Sequence, residues 1–202
     1  MPITTRRAVP GDAAELHALA ARTFGLACPP GTQQSDIDAF VALHLATANF
    51  EAYLTDPNRI LLLAESAGMP VGYTMLISGP IADPDVRALV DSATSIELSK
   101  FYVLAERHGS GIAAELMRAT LEAAAGTDAA SCWLGVNQMN ARAAKFYSKY
   151  GFEVVGTKRF LVGEQWHDDH VRQRPLTPVN GELGQTGVHV SKHQDPARAV
   201  HH

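Results

Sequence analysis

The chain has 202 residues, 46% hydrophobic and 19% charged, with a formal net charge of −4, enough for one well-filled core and without the basic footprint of a nucleic-acid binder. Its longest apolar run, Ile60 to Ala64, is too short to cross a bilayer, and a polar Pro10-Gly11-Asp12 turn stands where a secretory leader would carry apolar residues, so neither is expected. Two cysteines, Cys28 and Cys132, are too few for a disulfide framework or a thiolate zinc site, which leaves a soluble, cytoplasmic, globular protein as the expectation.

Ile3 to Ala8 reads as a first strand, followed by Pro10-Gly11-Asp12, a turn ending at a helix N-cap. Ala13 to Phe24 has Leu16, Leu19 and Ala20 at helical spacing and predicts an amphipathic helix. Cys28-Pro29-Pro30-Gly31 breaks it. A second helix is expected from Ile37, capped by Ser35 or Asp36 and interrupted before Asp56-Pro57-Asn58. Ile60–Glu65 and Val71–Ser78 form a hairpin around Ser66-Ala67-Gly68-Met69-Pro70. An acid-bearing connection, Gly79 to Thr94, leads to a strand at Ile96–Val103. The pattern then runs helix Gly109–Ala125, strand Cys132–Val136, helix Asn140–Tyr150, and strands Phe152–Phe160 and Trp166–Arg174. Strands alternating with helices predict an α/β layer structure, antiparallel early and crossing over late. Only seven of the 26 residues from Thr177 to His202 are aliphatic, without period, so a polar, mobile tail is expected there.

The most specific segment runs from Ile96 through His108-Gly109-Ser110-Gly111-Ile112-Ala113. A strand enters a glycine turn that opens a helix, and unpaired N–H groups at such a helix start make an anion site. Gly109 and Gly111 permit a phosphate to approach the backbone closely. No lysine follows Gly111 as a P-loop requires, the third glycine of a dinucleotide fingerprint is missing, and Ser110 lacks nucleophile-elbow spacing.

Downstream, Asn140-Ala141-Arg142-Ala143-Ala144-Lys145-Phe146-Tyr147 leads to Tyr150-Gly151-Phe152. Asn140 suits an N-cap and Gly151 a C′ position, and Ala143, Phe146, Tyr147 and Tyr150 share one helical face. Taken together, His108-Gly109-Ser110-Gly111-Ile112-Ala113 and Asn-x-x-Ala-x-x-Phe-Tyr-x-x-x-Gly-Phe resemble the two signatures of the GCN5-related N-acetyltransferase (GNAT) family, in order and at the family's interval. His108 stands where that family usually has arginine or glutamine. The resemblance covers residues 3 to 176. Phe160-Leu161-Val162-Gly163, His167-Asp168-Asp169 and Phe50 to Pro57 are further similar to its PaiA-like, polyamine-acetylating branch.

That resemblance implies a mixed, mostly antiparallel twisted sheet of about seven strands with flanking helices, forming a GNAT domain over residues 1–176 with the tail at 177–202. It implies direct acetyl transfer from acetyl-CoA, the co-substrate, to a primary amine. Such chemistry must hold the thioester, obtain a neutral amine, stabilise an oxyanion and protonate a thiolate. By the resemblance Tyr147 is the general acid beside the coenzyme sulfur, and Glu97 falls where several members carry a general base, acting directly or through water. Strand alternation puts Glu97, Ser99, Phe101 and Val103 on one face. Phe101, Tyr102 and Val103 would pair with the pantetheine arm where the fourth strand splays from the fifth, and His108 to Ala113 would hold the pyrophosphate. Asn140 either contacts the coenzyme or caps its helix. The acceptor site is expected between the Phe24–Ile37 loop and the acidic Asp83–Asp91 connection, for a small, polyamine-like amine. A protein N-terminus or lysine is the enzymatic alternative, and an idle acyl-CoA-binding regulatory module the non-enzymatic one. No metal, nucleic-acid or membrane partner is expected, since His167 and His170 alternate along a strand and no closed ligand set is visible. Pairing into a homodimer is left open.

Overall fold

The computed structural model describes residues 2–91, 93–162 and 165–177. Its elements in chain order are β1 (Ile3–Arg7), α1 (Ala13–Thr23), α2 (Gln34–His44), α3 (Thr47–Thr55), β2 (Arg59–Ser66), β3 (Met69–Ile77), α4 (Pro84–Arg87), β4 (Ser95–Val103), α5 (Ile112–Ala125), β5 (Ser131–Asn137), α6 (Ala141–Lys149), β6 (Glu153–Val162) and β7 (Gln165–Pro175). The strands form one seven-stranded sheet in the order β1-β2-β3-β4-β5-β7-β6. All neighbours are antiparallel except β4 and β5. The expected mixed, mostly antiparallel architecture is therefore present. The tail expected from residue 177 lies, from 178 on, outside the described residues.

Local chemistry explains most boundaries. The helical spacing in α1 buries Leu16, Leu19, Ala20 and Thr23 on one face. Asp12 stands at its N-cap position, but the carboxylate turns backward: it accepts from the Arg6 Nη1 and Nη2 atoms at 2.7 and 2.9 Å and from the Val9 N–H at 2.7 Å. Gln34, not Ile37, opens the second helix, and Gln33 rather than Ser35 or Asp36 holds its cap position, without a side-chain bond. The chain breaks after His44 and resumes as α3. Helix α5 begins at Ile112, three residues later than the spacing suggested, because Gly109 and Gly111 have φ of +82° and +88°. A right-handed helix cannot include them.

Two features of β4 govern the site. Its parallel pairing with β5 is confined to Ser95–Ser131, Ile96–Cys132 and Glu97–Trp133, after which the strands diverge. Against β3, Met75 pairs with Lys100 but Leu76 pairs with Leu98, so Ser99 is a bulged extra residue. Side chains directly opposite share a face. Glu97, Lys100 and Tyr102 therefore lie with Ile77, Met75 and Tyr73, while Leu98, Phe101 and Val103 lie with Leu76, Thr74 and Gly72. This corrects the expectation that Glu97, Ser99, Phe101 and Val103 share a face: the bulge breaks the alternation between them. Phe50 of α3 meets Tyr73 edge to face, and Met117 of α5 clusters with Leu76. Positions 73 and 76 point oppositely along β3, so α3 and α5 cover opposite faces of the sheet.

Candidate active site

The divergence of β4 from β5 opens two adjoining clefts, lined in common by Ala27, Phe101, Tyr102, Asn140, Ala143 and Tyr147. The first, about 250 Å³, is lined by the charged side chains of Glu97, Lys100, Lys158 and Asp169 together with Phe24, Cys28 and Phe40. The second, about 310 Å³, runs past Val103, Ala105, His108 and Ala113 to Arg142 and Phe146.

Tyr147 sits where the clefts meet. Its ring packs against Phe101, Phe146 and Phe152 at centroid distances of 6.3, 5.6 and 5.9 Å, which fixes its direction. Burial pushes the phenol well above its ordinary pKa, so it stays protonated. Glu97 lies at the last position of β4 that pairs with β5. Desolvation raises its carboxyl pKa, against the opposing influence of Lys158, Lys100 and Arg59. Asn140 caps α6, its Oδ1 accepting from the Ala143 N–H at 3.0 Å, and Gly151 closes that helix at φ +79°. Asn140 nevertheless lines both clefts, with its amide NH₂ not consumed by the cap.

Phe101, Tyr102 and Val103 carry β4 past the point where β5 leaves it, so their backbone edge is available to a ligand. The His108 Nε2 atom lies 3.0 Å from the Val103 carbonyl oxygen, to which it donates. His108 thus fastens the glycine turn to the strand end. In that turn Ser110 Oγ donates to the Arg107 carbonyl at 2.5 Å. The first bond of α5 runs from the Glu115 N–H to the Gly111 carbonyl. The N–H groups of Ile112, Ala113 and Ala114 precede it and have no partner within the helix. His108 and Ala113 line the second cleft, with Gly109, Ser110, Gly111 and Ile112 as the turn between them. These features suit a long ligand with an amide-bearing arm and phosphate groups.

Four contributors escaped the sequence reading. Lys100 is brought to the Glu97 side by the Ser99 bulge, and desolvation lowers its pKa from 10.5 to about 8. Lys158 and Asp169 face each other across the β6–β7 hairpin. The stem of Lys158 crosses Gly135, where an added Cβ would stand 2.6 Å from Cε. Asp169 is buried, burial raises its pKa, and its Oδ1 has no hydrogen-bond partner among the described residues. Arg142 adds a cation to the second cleft. The acidic connection reaches the site differently from expectation. Asp83 borders a separate opening beside Glu97 and Lys158, but its carboxylate caps α4 through the Asp85 N–H, and Asp91 accepts from the Ala93 N–H. Cys28 is half-buried, and desolvation raises its thiol pKa. Among the described residues no group of three or more His, Cys, Asp or Glu side chains is placed to hold a metal ion, and no helix is long and apolar enough to cross a membrane.

Residues 21–152 match the acetyltransferase (GNAT) family. Uncharacterised N-acetyltransferases of Mycobacterium bovis and Mycobacterium tuberculosis are each 47% identical over 165 residues, covering 82% of this chain and 98% of the relative. In structure the chain resembles the PaiA N-acetyltransferase of Thermoplasma acidophilum in complex with coenzyme A, with a TM-score of 0.70 at 18% identity, over 87% of this chain and 99% of the other. It also resembles the Salmonella typhimurium protein yncA with acetyl-CoA, with a TM-score of 0.62 at 18% identity, over 93% and 100% of the two chains.

Proposed function

The chain belongs to the acetyltransferase (GNAT) family and is an acetyl-CoA-dependent N-acetyltransferase, and from that premise we propose that its two clefts divide the reaction between a coenzyme side and an acceptor side. The observation that carries this reading is the meeting of the clefts at Tyr147, in the gap that opens where β5 leaves β4 just beyond Glu97.

On the coenzyme side, the free backbone edge of Phe101, Tyr102 and Val103 holds the pantetheine arm. The Gly109-Ser110-Gly111 turn and the N–H groups of Ile112 and Ala113 take the pyrophosphate, with Arg142 as an added cation and His108 bracing the turn. When bound, acetyl-CoA supplies a thioester carbonyl open to attack by an amine. On the acceptor side a small primary amine enters as an ammonium ion, in the cleft that holds Glu97 and Asp169. Glu97, its pKa raised by burial, accepts the ammonium proton directly or through water. Tyr147, kept protonated by the same effect, donates to the departing sulfur. Amine and thioester are thereby held together without an acyl-enzyme step, which is the entropic part of the catalysis. Cytoplasmic residence, with both thiols free, belongs to the same proposal.

Free-thiol release from acetyl-CoA across polyamines, amino acids, aminoglycosides and peptides with free N-termini tests this reading. Thiol release with a small amine supports it. Release with peptides alone would turn it toward a protein N-terminus or lysine, and coenzyme binding without release on any acceptor would favour an idle module.

A further inference from the structure

The acceptor cleft contains more than the carboxylates an ammonium group needs. Glu97 and Asp169 share it with two ammonium groups, Lys100 and Lys158, and Arg59 is close enough to act electrostatically on both Glu97 and Lys100. The two lysines are not equivalent. Lys158 lies over Gly135, where an added Cβ would stand 3.3 Å from its Nζ and 3.4 Å from Oδ2 of Asp169. It acts electrostatically on both cleft carboxylates. Lys100 enters from the opposite strand, carried to this side by the Ser99 bulge. None of the described ion pairs includes it, although Glu97 lies near enough to be felt. Arg59, by contrast, is already paired to Asp56 at 2.9 Å.

A polyamine offers cations at both ends. One end would meet Glu97 and Asp169, but the other would lie against Lys100, where like charges repel with little water to screen them. A ligand with an amine at one end and an anion at the other matches the cleft at both. Resting on the acceptor side assigned above, we propose that the acceptor is an amine that also carries a carboxylate or phosphate, and that Lys100 receives that anionic group. The lowered pKa of Lys100 agrees with an ammonium that is poorly solvated until an anion arrives. The acceptor's charge pattern also orients it: anchoring the anion at Lys100 leaves the amine end toward Glu97 and Tyr147.

The test compares matched pairs that differ only in the anion, L-ornithine with putrescine and phosphoethanolamine with ethanolamine, by thiol release from acetyl-CoA. The anionic member of at least one pair should have the higher kcat/KM, by tenfold or more, and which pair shows it distinguishes carboxylate from phosphate. Lys100→Met should raise KM for that anionic amine at least tenfold and so narrow the kcat/KM preference over its anion-free partner by at least tenfold. Equal or reversed preference in both pairs, or no reaction with either anionic amine, overturns the inference. So does an equal loss on both members in Lys100→Met, which would place Lys100 in proton transfer instead. Glu97→Gln separates the two layers. If it abolishes turnover while the pairs react alike, only the anion subsite fails, and if it leaves turnover unchanged, the acceptor side itself is misplaced.

Discussion

Replacing Lys100 by methionine should make the protein more stable. The side chain is largely enclosed in the cleft, and desolvation lowers its pKa from 10.5 to about 8. At about 1.4 kcal/mol per pKa unit, holding the ammonium there costs roughly 3 kcal/mol of folding free energy. Methionine keeps an unbranched chain of similar reach without the charge. The pH dependence has a definite sign. The unfolded lysine keeps its proton to about 10.5, whereas the folded one loses it near 8, so between these values the unfolded state binds more protons and wild-type stability rises with pH from this group. The penalty is complete below about pH 8 and disappears toward pH 10.5. Lys100→Met should therefore melt about 6 to 12 °C higher at pH 7, taking about 2 to 4 °C per kcal/mol for a domain of this size. The gain should shrink markedly at pH 10. Thermal and urea unfolding of both proteins at the two pH values measure it. No gain at pH 7, or a gain of equal size at both, would refute the argument that Lys100 is held desolvated. A residue kept at such a cost is better explained by ligand binding than by packing.

Three other substitutions probe the remaining parts. Glu97→Gln should lower kcat by about 10² to 10⁴ and abolish the acid limb of the kcat/KM profile. In the wild type that limb should lie above the ordinary 4.5, because burial raises the Glu97 pKa, and activity should fall as pH drops through it; a limb retained in the variant contradicts the assignment. Tyr147→Phe keeps the ring contacts to Phe101, Phe146 and Phe152. It should lower kcat by about 10² or more while calorimetry shows acetyl-CoA affinity little changed, and unchanged turnover would remove the acid role. Gly111→Ala forces a side chain into φ +88°, costing about 1 to 2 kcal/mol, and should raise KM for acetyl-CoA through distortion of the turn. Gly126→Ala, at φ −78° with no contact to a Cβ nearer than 3.5 Å, is the control that should change neither.

Which parts were legible in the sequence follows from the range of the interactions that create them. Asn140 and Gly151 announce the ends of α6 because caps are made within a few residues of themselves. Gly109 and Gly111 mark the α5 entry for the same reason, and the difference lies in the helix start, which their positive φ delays to Ile112. The two motifs carry Tyr147 and the coenzyme turn because their spacing is local. Lys100 was hidden because its side of the sheet depends on which β3 residue faces the bulge, a long-range fact. Lys158 and Asp169 meet only through the β6–β7 register, which shifts between Val154 and Gly156. At Gly156 an added Cβ would stand 2.4 Å from Leu89, so that close approach is also fixed by a partner distant in sequence. The acids at Asp83 and Asp91 were visible, and what occupies their carboxylates is as local as a cap, each accepting from the N–H two residues on.

The account rests most directly on transfer across the gap at Tyr147 from one cleft to the other, without an acylated protein group between. Initial velocities measured with acetyl-CoA and the acceptor both varied decide this. Intersecting double-reciprocal lines, with no acetyl group on the protein by mass spectrometry after incubation with acetyl-CoA alone, are the predicted result. Parallel lines together with stoichiometric acetylation of Cys28 or Lys100 would contradict it.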